Sequence, residues 1–550
     1  MAKQKKIHIK KLSDINPAEA LNRLNKGLVT LRRLTTKGAE LGEDIAQIVA
    51  KLRQVAAPDN EPFVFTQSLQ ENEQLLQVVL RDCDDVKWRY FKAGKVDAFV
   101  VFLLGMVDTT LIEKNVLETL MGDSNNMNVT TSIQSKYNQL LTSASLARIA
   151  EPAEAFEALM TGSALVFIDG VAEAFAIGAV KHVKRDISVP QAEDVIRGPH
   201  DAFNETLMDN LTMLRRKTHD TNLKVSMLRL GDRSRTAVAL VYIADLIKPG
   251  LLEEVNRRLA KINTDIILLS YKIEELITDH PWSPFPQVQS TERPDKVISS
   301  IYEGRMAIVV DNTPMALIVP CTYNALMQSP EDYTSPAVVA GLITLTRHFC
   351  GFIAIYLPAI YISIVSFHPG MLPTTLAISI AELRSRTPFP SFLEAVLMES
   401  LLEVFIEAII RLPKKVAGAA GVVGALVIGT TVVQAGLVNP LLVVVVATTA
   451  IASFTMPNYG YAMALRFLRV PMLILASILG LYGVMLGYLA VTIHMCALRS
   501  FGESYLGSVL DISLISDWKD MIVRLPLRFL SKRPEQYGVQ KKQRAGDENG

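Results

Sequence analysis

The chain has 550 residues, half of them hydrophobic, with 56 Lys and Arg against 55 Asp and Glu and a formal net charge of +1. That length exceeds what a single core usually serves, and a balance so near neutral gives no electrostatic ground for nucleic acid, which is not expected as a partner. Four cysteines, Cys83, Cys321, Cys350 and Cys496, stand far apart without a CxxC pair. Neither a metal site nor a disulfide framework is therefore expected, and no cofactor is implied.

The N-terminus, Met1 to Lys11, is basic but lacks the apolar core of a signal peptide, so the soluble half is expected to stay in the cytosol. Residues 1–84 read as a charged arm, helical from about Ile15 to Pro58 or partly disordered. Two similar α/β lobes are expected next, over 85–190 and 222–340, because a pattern recurs at an offset of about 140 residues. Phe99-Val-Val-Phe-Leu-Leu-Gly105, a polar corner and Leu111-Ile-Glu-Lys-Asn-Val-Leu117 match Ala239-Leu-Val-Tyr-Ile-Ala-Asp245, a corner at Pro249-Gly250, and Leu251-Leu-Glu-Glu-Val-Asn-Arg257. Each reads as a buried strand feeding a helix. Gly162-Ser-Ala-Leu-Val-Phe-Ile-Asp169-Gly170 and Gly304-Arg-Met-Ala-Ile-Val-Val-Asp311-Asn312 share their Gly and Asp positions, and Asp-Gly and Asp-Asn suit the positive φ angles of two-residue hairpin turns.

Between the lobes, 191–221 reads as a connector. Arg197-Gly198-Pro199 opens a helix through Phe203, Leu207, Leu211 and Leu214, and Arg215-Arg216-Lys217 complement its C-terminal dipole. Trp282-Ser-Pro-Phe-Pro286 reads as an irregular, proline-set loop.

From 341 to 500 the sequence predicts a helical membrane domain of about four to six spans, and 501–550 a C-terminal segment with a basic tail. Between Lys415 and Arg466 there is no Asp, Glu, Lys or Arg, and Asn439-Pro440 marks a turn within that run. A bilayer core of about 30 Å takes about 20 apolar residues per helix, so the run is two crossings, near 417–438 and 441–456. Further spans are expected near 349–367, interrupted by Pro358, and near 470–497. Small residues at Gly421, Ala425 and Gly429, and at Gly483 and Gly487, are candidate helix-packing positions.

The segment from Ser391 to Ile410 is apolar except for Glu394, Glu399, Glu403 and Glu407, and the last three recur every four residues. Each such step drifts only about 40° around a helix, so they form one stripe. Intramembrane carboxylates mark ion pathways, which makes these three the candidate ion-path residues; the alternative is an interfacial amphipathic helix with solvated acids. Arg411 and Lys414-Lys415 favour a cytosolic loop after this helix, as do Arg466 and Arg469 for the loop assigned to them. The basic tail favours the same side, yet five spans from a cytosolic N-terminus would put it outside. No Walker loop, HExxH pair, GxSxG elbow or metal-ligand cluster occurs, so nothing points to an enzyme.

Several of these landmarks resemble the A subunits of GerA-type nutrient germinant receptors of spore-forming bacteria. Arg197-Gly198-Pro199 with Phe203, Glu205, Asn210 and Leu214-Arg215-Arg216 is similar to that family's connector motif. Thr291-Glu292-Arg293-Pro294, Glu303-Gly304-Arg305 and Glu331-Asp332-Tyr333 resemble its later soluble signatures, and Arg411-Leu412-Pro413-Lys414, Gly424-Ala-Leu-Val-Ile-Gly429 and Ala450-Ile-Ala-Ser-Phe454 its membrane run. The resemblance covers about residue 85 to the end, and departs after Ser500-Phe501-Gly502, where Tyr505-Leu506 stand without the family's flanking prolines. It implies a subunit of the spore inner membrane that acts with a transporter-like B subunit and a lipoprotein C subunit. It also implies that A subunits form a homo-oligomer in membrane lipid and conduct monovalent cations on germinant binding. The alternatives are an A-like channel associated with SpoVA, and a non-conducting membrane scaffold.

Overall fold

The computed structural model describes residues 64–93, 96–121, 146–181, 190, 193, 195, 197–507, 518, 524–526 and 530–544. The helical arm expected over Ile15 to Pro58 lies outside the described residues. Everything below belongs to one compact unit, Val64–Gly550.

The soluble part contains two five-stranded antiparallel sheets built to one plan. In the first, helix α1 (Leu69–Val79) precedes β1 (Val86–Ala93) and β2 (Val96–Leu103), and a helical stretch over 109–121 leads on. β3 (Leu146–Ile149), α2 (Pro152–Met160), β4 (Ser163–Ile168) and β5 (Ala174–Gly178) complete the lobe, with strand order β1-β2-β4-β5-β3. The second repeats it with α3 (Leu207–Lys217), β6 (Leu223–Leu230), β7 (Thr236–Ile243), α4 (Leu251–Leu259), α5 (Ser270–Ile277), β8 (Gln289–Thr291), α6 (Pro294–Tyr302), β9 (Met306–Val310) and β10 (Ala316–Val319). Its order is β6-β7-β9-β10-β8. The apolar runs read from the sequence are the largely buried interior strands β2, β4, β7 and β9.

The repeat extends to its polar fittings. The Asp169 carboxylate accepts the Leu69 N–H at 3.2 Å and the Asp311 carboxylate the Leu207 N–H at 3.1 Å, so each repeated Asp satisfies a free amide at a helix start. Asn72 bridges both backbone groups of Thr66, and Asn210 both of Asn204, in the same way. The connector helix therefore begins at Leu207 rather than at Gly198-Pro199, and it stands in its lobe as α1 stands in the first. The hairpin connections also differ from two-residue turns. They span 169–173 and 311–315, although Gly170 and Asn312 do take the expected positive φ of 83° and 64°.

Where the lobes meet, residues 82–84 pair with the edge strand β6: the Asp84 N–H donates to the Val225 carbonyl at 2.8 Å, and the Val225 N–H to Asp82 at 3.3 Å. Arg215 closes the joint. Its Nε and Nη2 grip Asp85 at 2.8 and 2.9 Å, its Nη1 reaches the Leu223 carbonyl at 2.9 Å, and both charged side chains are 2% exposed. Arg216 donates to the Lys181 carbonyl at 2.5 Å. A bidentate guanidinium-carboxylate pair out of water fixes direction as well as distance, so α3 and the first lobe hold one mutual orientation.

The membrane half comprises α7 (Ala337–Phe367), α8 (Thr374–Arg384), α9 (Ser391–Arg411), α10 (Lys414–Gln434), α11 (Pro440–Phe454), α12 (Tyr459–Leu479) and α13 (Leu481–Ala497). By length and composition α7, α10 and α12 are long and apolar enough to cross a membrane, and α11 and α13 are shorter apolar helices. The single span expected over 470–497 is instead two helices that reverse at Gly480, whose φ is 61°. Arg466 and Arg469 lie inside α12 rather than in a loop.

Contacts set the direction of each helix. α7 starts against the second lobe, where Arg347 binds Asp332 at 2.9 and 3.1 Å, and ends beside Gly480. α9 descends from Glu394, bonded near Asn439, to Glu403, bonded to Arg466. α10 ascends, with Gly424 facing Phe405 and Gly421 facing Ile409; α11 returns to bring Met456 near Gly351. α12 ascends from Tyr461, stacked on Phe285, and α13 returns to His494, which bonds Ser283 at 2.9 Å. The chain thus comes back to the lobe side, where Ser500 bonds the Gln287 carbonyl and Tyr537 and Val539 enter the core of the second lobe.

Candidate functional site in the membrane half

Helix α9 presents its carboxylates one above the other, and each faces an arginine. Glu399 accepts from Arg469 Nη1 at 2.6 Å with both side chains largely buried, 13% and 3% exposed. One turn lower, Glu403 accepts from Arg466 at 3.3 Å. At the helix end Glu407 pairs with Arg411 of its own helix at 2.5 Å, exposed on both sides. The first two pairs join α9 to the antiparallel α12: carboxylates four apart on one helix meet cations three apart on the other.

Pro358 explains why Arg469 can sit there. A proline inside α7 has no N–H, which frees the carbonyl four residues earlier. Arg469 Nε donates to that Ala354 carbonyl at 2.9 Å. One guanidinium therefore serves a broken helix and a carboxylate on a second helix. A cavity of about 390 Å³ runs beside the pairs, lined by Glu399, Glu403, Met463, Arg466, Phe467 and Arg469. Glu399 Oε1 and Arg469 Nη2 each lack a hydrogen-bond partner although both atoms are buried. Glu394 is separate from this ladder: almost wholly buried, it accepts from Thr387 at 2.9 Å and from the Asn439 N–H at 3.0 Å, at the start of α11.

The small residues divide. A Cβ on Gly483 would lie 2.1 Å from the Leu475 carbonyl, and one on Gly487 2.3 Å from Met472 Sδ, so α13 lies tight against α12 at both. On α10, Gly424 is the close contact, against Phe405; Gly421 meets only Ile409 at 3.7 Å, and Gly429 has no neighbour within 4 Å among the described residues. The side chain of Ala425 lies outside the described residues. α10 thus leaves most of its apolar surface uncovered within the protomer, including Val422, Val423 and Leu426.

In the connector, Arg197 is exposed and Gly198 and Pro199 are drawn to Arg293, which is fully buried and donates to the Pro199 carbonyl at 3.1 Å and to Asp295 at 2.8 Å. Two motifs read separately in the sequence thus form one contact. At the lobe-membrane junction, Phe285 from the proline-set loop stacks with Tyr461 and His494, and Tyr505 packs beside them. Below it a groove of about 630 Å³ separates α5 from the first turn of α12, and burial there pushes the Glu274 carboxyl from 4.5 to about 7. Among the described residues no group of three or more His, Cys, Asp or Glu is gathered as a metal would need.

A family model described as Bacillus/Clostridium GerA spore germination protein matches residues 74–536. The chain is 38% identical over 468 residues to Spore germination protein B1 of Bacillus subtilis (strain 168), covering 85% of this chain and 96% of that protein. It is 28% identical over 424 residues to Stage V sporulation protein AF of the same organism, covering 76% and 85%. The crystal structure of the N-terminal domain of the A subunit of the Bacillus megaterium spore germinant receptor GerK3 aligns at 28% identity and a TM-score of 0.38, over 48% of this chain and 99% of that one. With the family model spanning both lobes and the membrane helices, this chain belongs to the GerA spore germination protein family.

Proposed function

We propose that this chain is the A-type subunit of a nutrient germinant receptor in the spore inner membrane, with its lobes in the cytoplasm, and that it oligomerises to carry monovalent cations along helix α9. In this reading a transporter-like B subunit senses the nutrient and a lipoprotein C subunit completes the receptor. The observation that carries it is the ladder of Glu399 and Glu403 on Arg469 and Arg466. Carboxylates inside a membrane helix are costly without a role, and here each is neutralised by a cation on a different helix. Separating α9 from α12 would uncover two carboxylates at once, so the arginines act as a latch on the path. Glu407, paired only within its own helix, marks the lobe-side mouth. Cytoplasmic lobes are supported by Arg411 and Lys414-Lys415, which follow α9 at the lobe side. The uncovered apolar face of α10, with Val422, Leu426 and Gly429, supplies a surface on which protomers meet.

Greater identity to a germination protein named with its relatives than to Stage V sporulation protein AF favours a receptor over a SpoVA-associated channel. A second reading, a non-conducting scaffold, has one observation in its favour: every carboxylate of the stripe is already paired. The deciding experiment replaces Glu399, Glu403 and Glu407 together by Gln in the complete receptor and measures cation release from spores given nutrient. The channel reading expects release to fall while receptor abundance holds; unchanged release in an assembled variant leaves the scaffold.

A further inference from the structure

The large apolar side chains that the second lobe leaves uncovered are gathered rather than scattered. Between residues 203 and 335 they are Tyr333 and six others that all fall within one stretch, Ile266, Leu268, Leu269, Tyr271, Leu276 and Trp282. The exposures are large: 68% for Leu268, 67% for Tyr271 and 98% for Trp282. Single exposed apolar residues are ordinary on any protein, but a contiguous patch with an entirely uncovered indole at its edge marks a surface that something meets.

Its height in the molecule is fixed by what lies beside it. Ser283, the residue after Trp282, bonds His494 in the last turn of α13 at 2.9 Å. Phe285 stacks on Tyr461 in the first turn of α12. Tyr271 and Glu274 of α5 form one wall of the 630 Å³ groove, whose other wall includes Tyr459 and Met463. Tyr459, which begins the apolar helix α12, is itself 60% exposed. The stretch therefore lies beside the start of α12 and the end of α13, with Tyr271 on the groove that Tyr459 shares and Trp282 next to the residue that bonds His494.

We propose that residues 266–282 seat the second lobe on the interfacial layer of the same bilayer that the helices cross. Trp and Tyr are the side chains that favour the headgroup level, because each offers an apolar ring with a polar edge. The aliphatic side chains of the patch supply area for shallow insertion, as on the apolar face of an interfacial helix. The stretch also exposes one cation and one anion, Lys272, whose ammonium donates to the Ile266 carbonyl at 2.8 Å, and Glu275, so their charges offset and the contact depends on apolar area rather than on anionic lipid. This seat makes the membrane surface a rigid reference for the lobe, and it holds whether or not the helices conduct.

The chain has three tryptophans, which makes Trp282 a built-in depth probe. The full-length protein carrying Trp88→Phe and Trp518→Phe is reconstituted in phosphatidylcholine vesicles whose acyl chains are brominated either near the glycerol or near the methyl end. The expected result is blue-shifted Trp282 emission, protection from iodide, and stronger quenching by the shallow bromines than by the deep ones, unchanged in high salt. Emission as open to iodide as free indole and indifferent to brominated lipid overturns the proposal. So does protection from iodide without lipid quenching, which would mean that a protein covers the patch; loss of that protection on dilution in lipid would identify a second copy of this chain. If the double substitution fails to incorporate, the difference in quenching between wild type and Trp282→Phe reads the same quantity.

Discussion

Arg469 holds three helices together, and its removal has a calculable signature. Arg469→Met takes the cation from Glu399 and the donor from the Ala354 carbonyl that Pro358 leaves open. Breaking a buried pair from one side costs about 3–5 kcal/mol, and an orphaned buried carbonyl about 1–3 kcal/mol. Because the two losses overlap, the variant should lose about 4–6 kcal/mol. Glu399→Gln keeps an oxygen for the guanidinium and should lose less, on the order of 2–3 kcal/mol. The double variant Glu399→Met/Arg469→Met strands no charge and leaves only the carbonyl, so it should lose about 1–3 kcal/mol, less than Arg469→Met alone. Thermal unfolding of the detergent-solubilised protein, followed by size-exclusion of the surviving fraction, ranks the variants. A double variant as unstable as Arg469→Met and Glu399→Met combined would mean that the two side chains are not energetically coupled and would exclude this pairing.

Other consequences follow from the same geometry. Arg215→Met strands Asp85 at the lobe joint and should cost about 3–5 kcal/mol, read as faster hydrogen exchange in β1 and β6 before the central strands are affected. Glu274 is held at a raised value by burial, so the stability it contributes is complete below 4.5 and is lost as pH rises through about 7. Glu274→Gln should therefore leave the melting temperature unchanged at low pH and raise it at pH values above that window; a uniform shift at all pH values would contradict this. Gly487→Leu should disrupt the α12–α13 hairpin because Met472 occupies the space. Gly429→Leu should leave the protomer's melting temperature alone and change cross-linking between protomers, which separates packing within a protomer from packing between them.

What could be read from the sequence was what local pattern controls. The recurrence of Gly and Asp around Asp169 and Asp311 announced the duplicated lobes because each Asp has the same duty, accepting a helix amide, in both. The four-residue spacing of Glu399, Glu403 and Glu407 gave one stripe because α9 is a regular helix. What escaped depended on distant partners. Gly198-Pro199 has the composition of a helix start, but the amide that needs satisfying is that of Leu207, and the group that satisfies it comes from Asp311. Arg466 and Arg469 read as loop cations by the preference of basic residues for cytosolic loops, yet they lie inside α12, because their carboxylate partners stand on another helix; the local trace of that pairing is matching spacing. The division at Gly480 was hidden for a related reason: uninterrupted apolar sequence does not reveal a reversal, and the positive φ that makes it is legible only in the backbone. Edge strands β3 and β8 are short, and their pairing is set by the neighbouring hairpin and not by their own alternation.

In the proposed mechanism cations travel along α9 and the arginines of α12 restrain them. The most direct test is potassium efflux from proteoliposomes at matched incorporation, comparing wild type, Glu403→Gln and Arg466→Gln. Efflux is expected to fall below wild type when Glu403 loses its charge and to rise above wild type when Arg466 loses its charge. Equal efflux from all three, with each protein folded and inserted, would contradict this mechanism and place conduction elsewhere in the receptor.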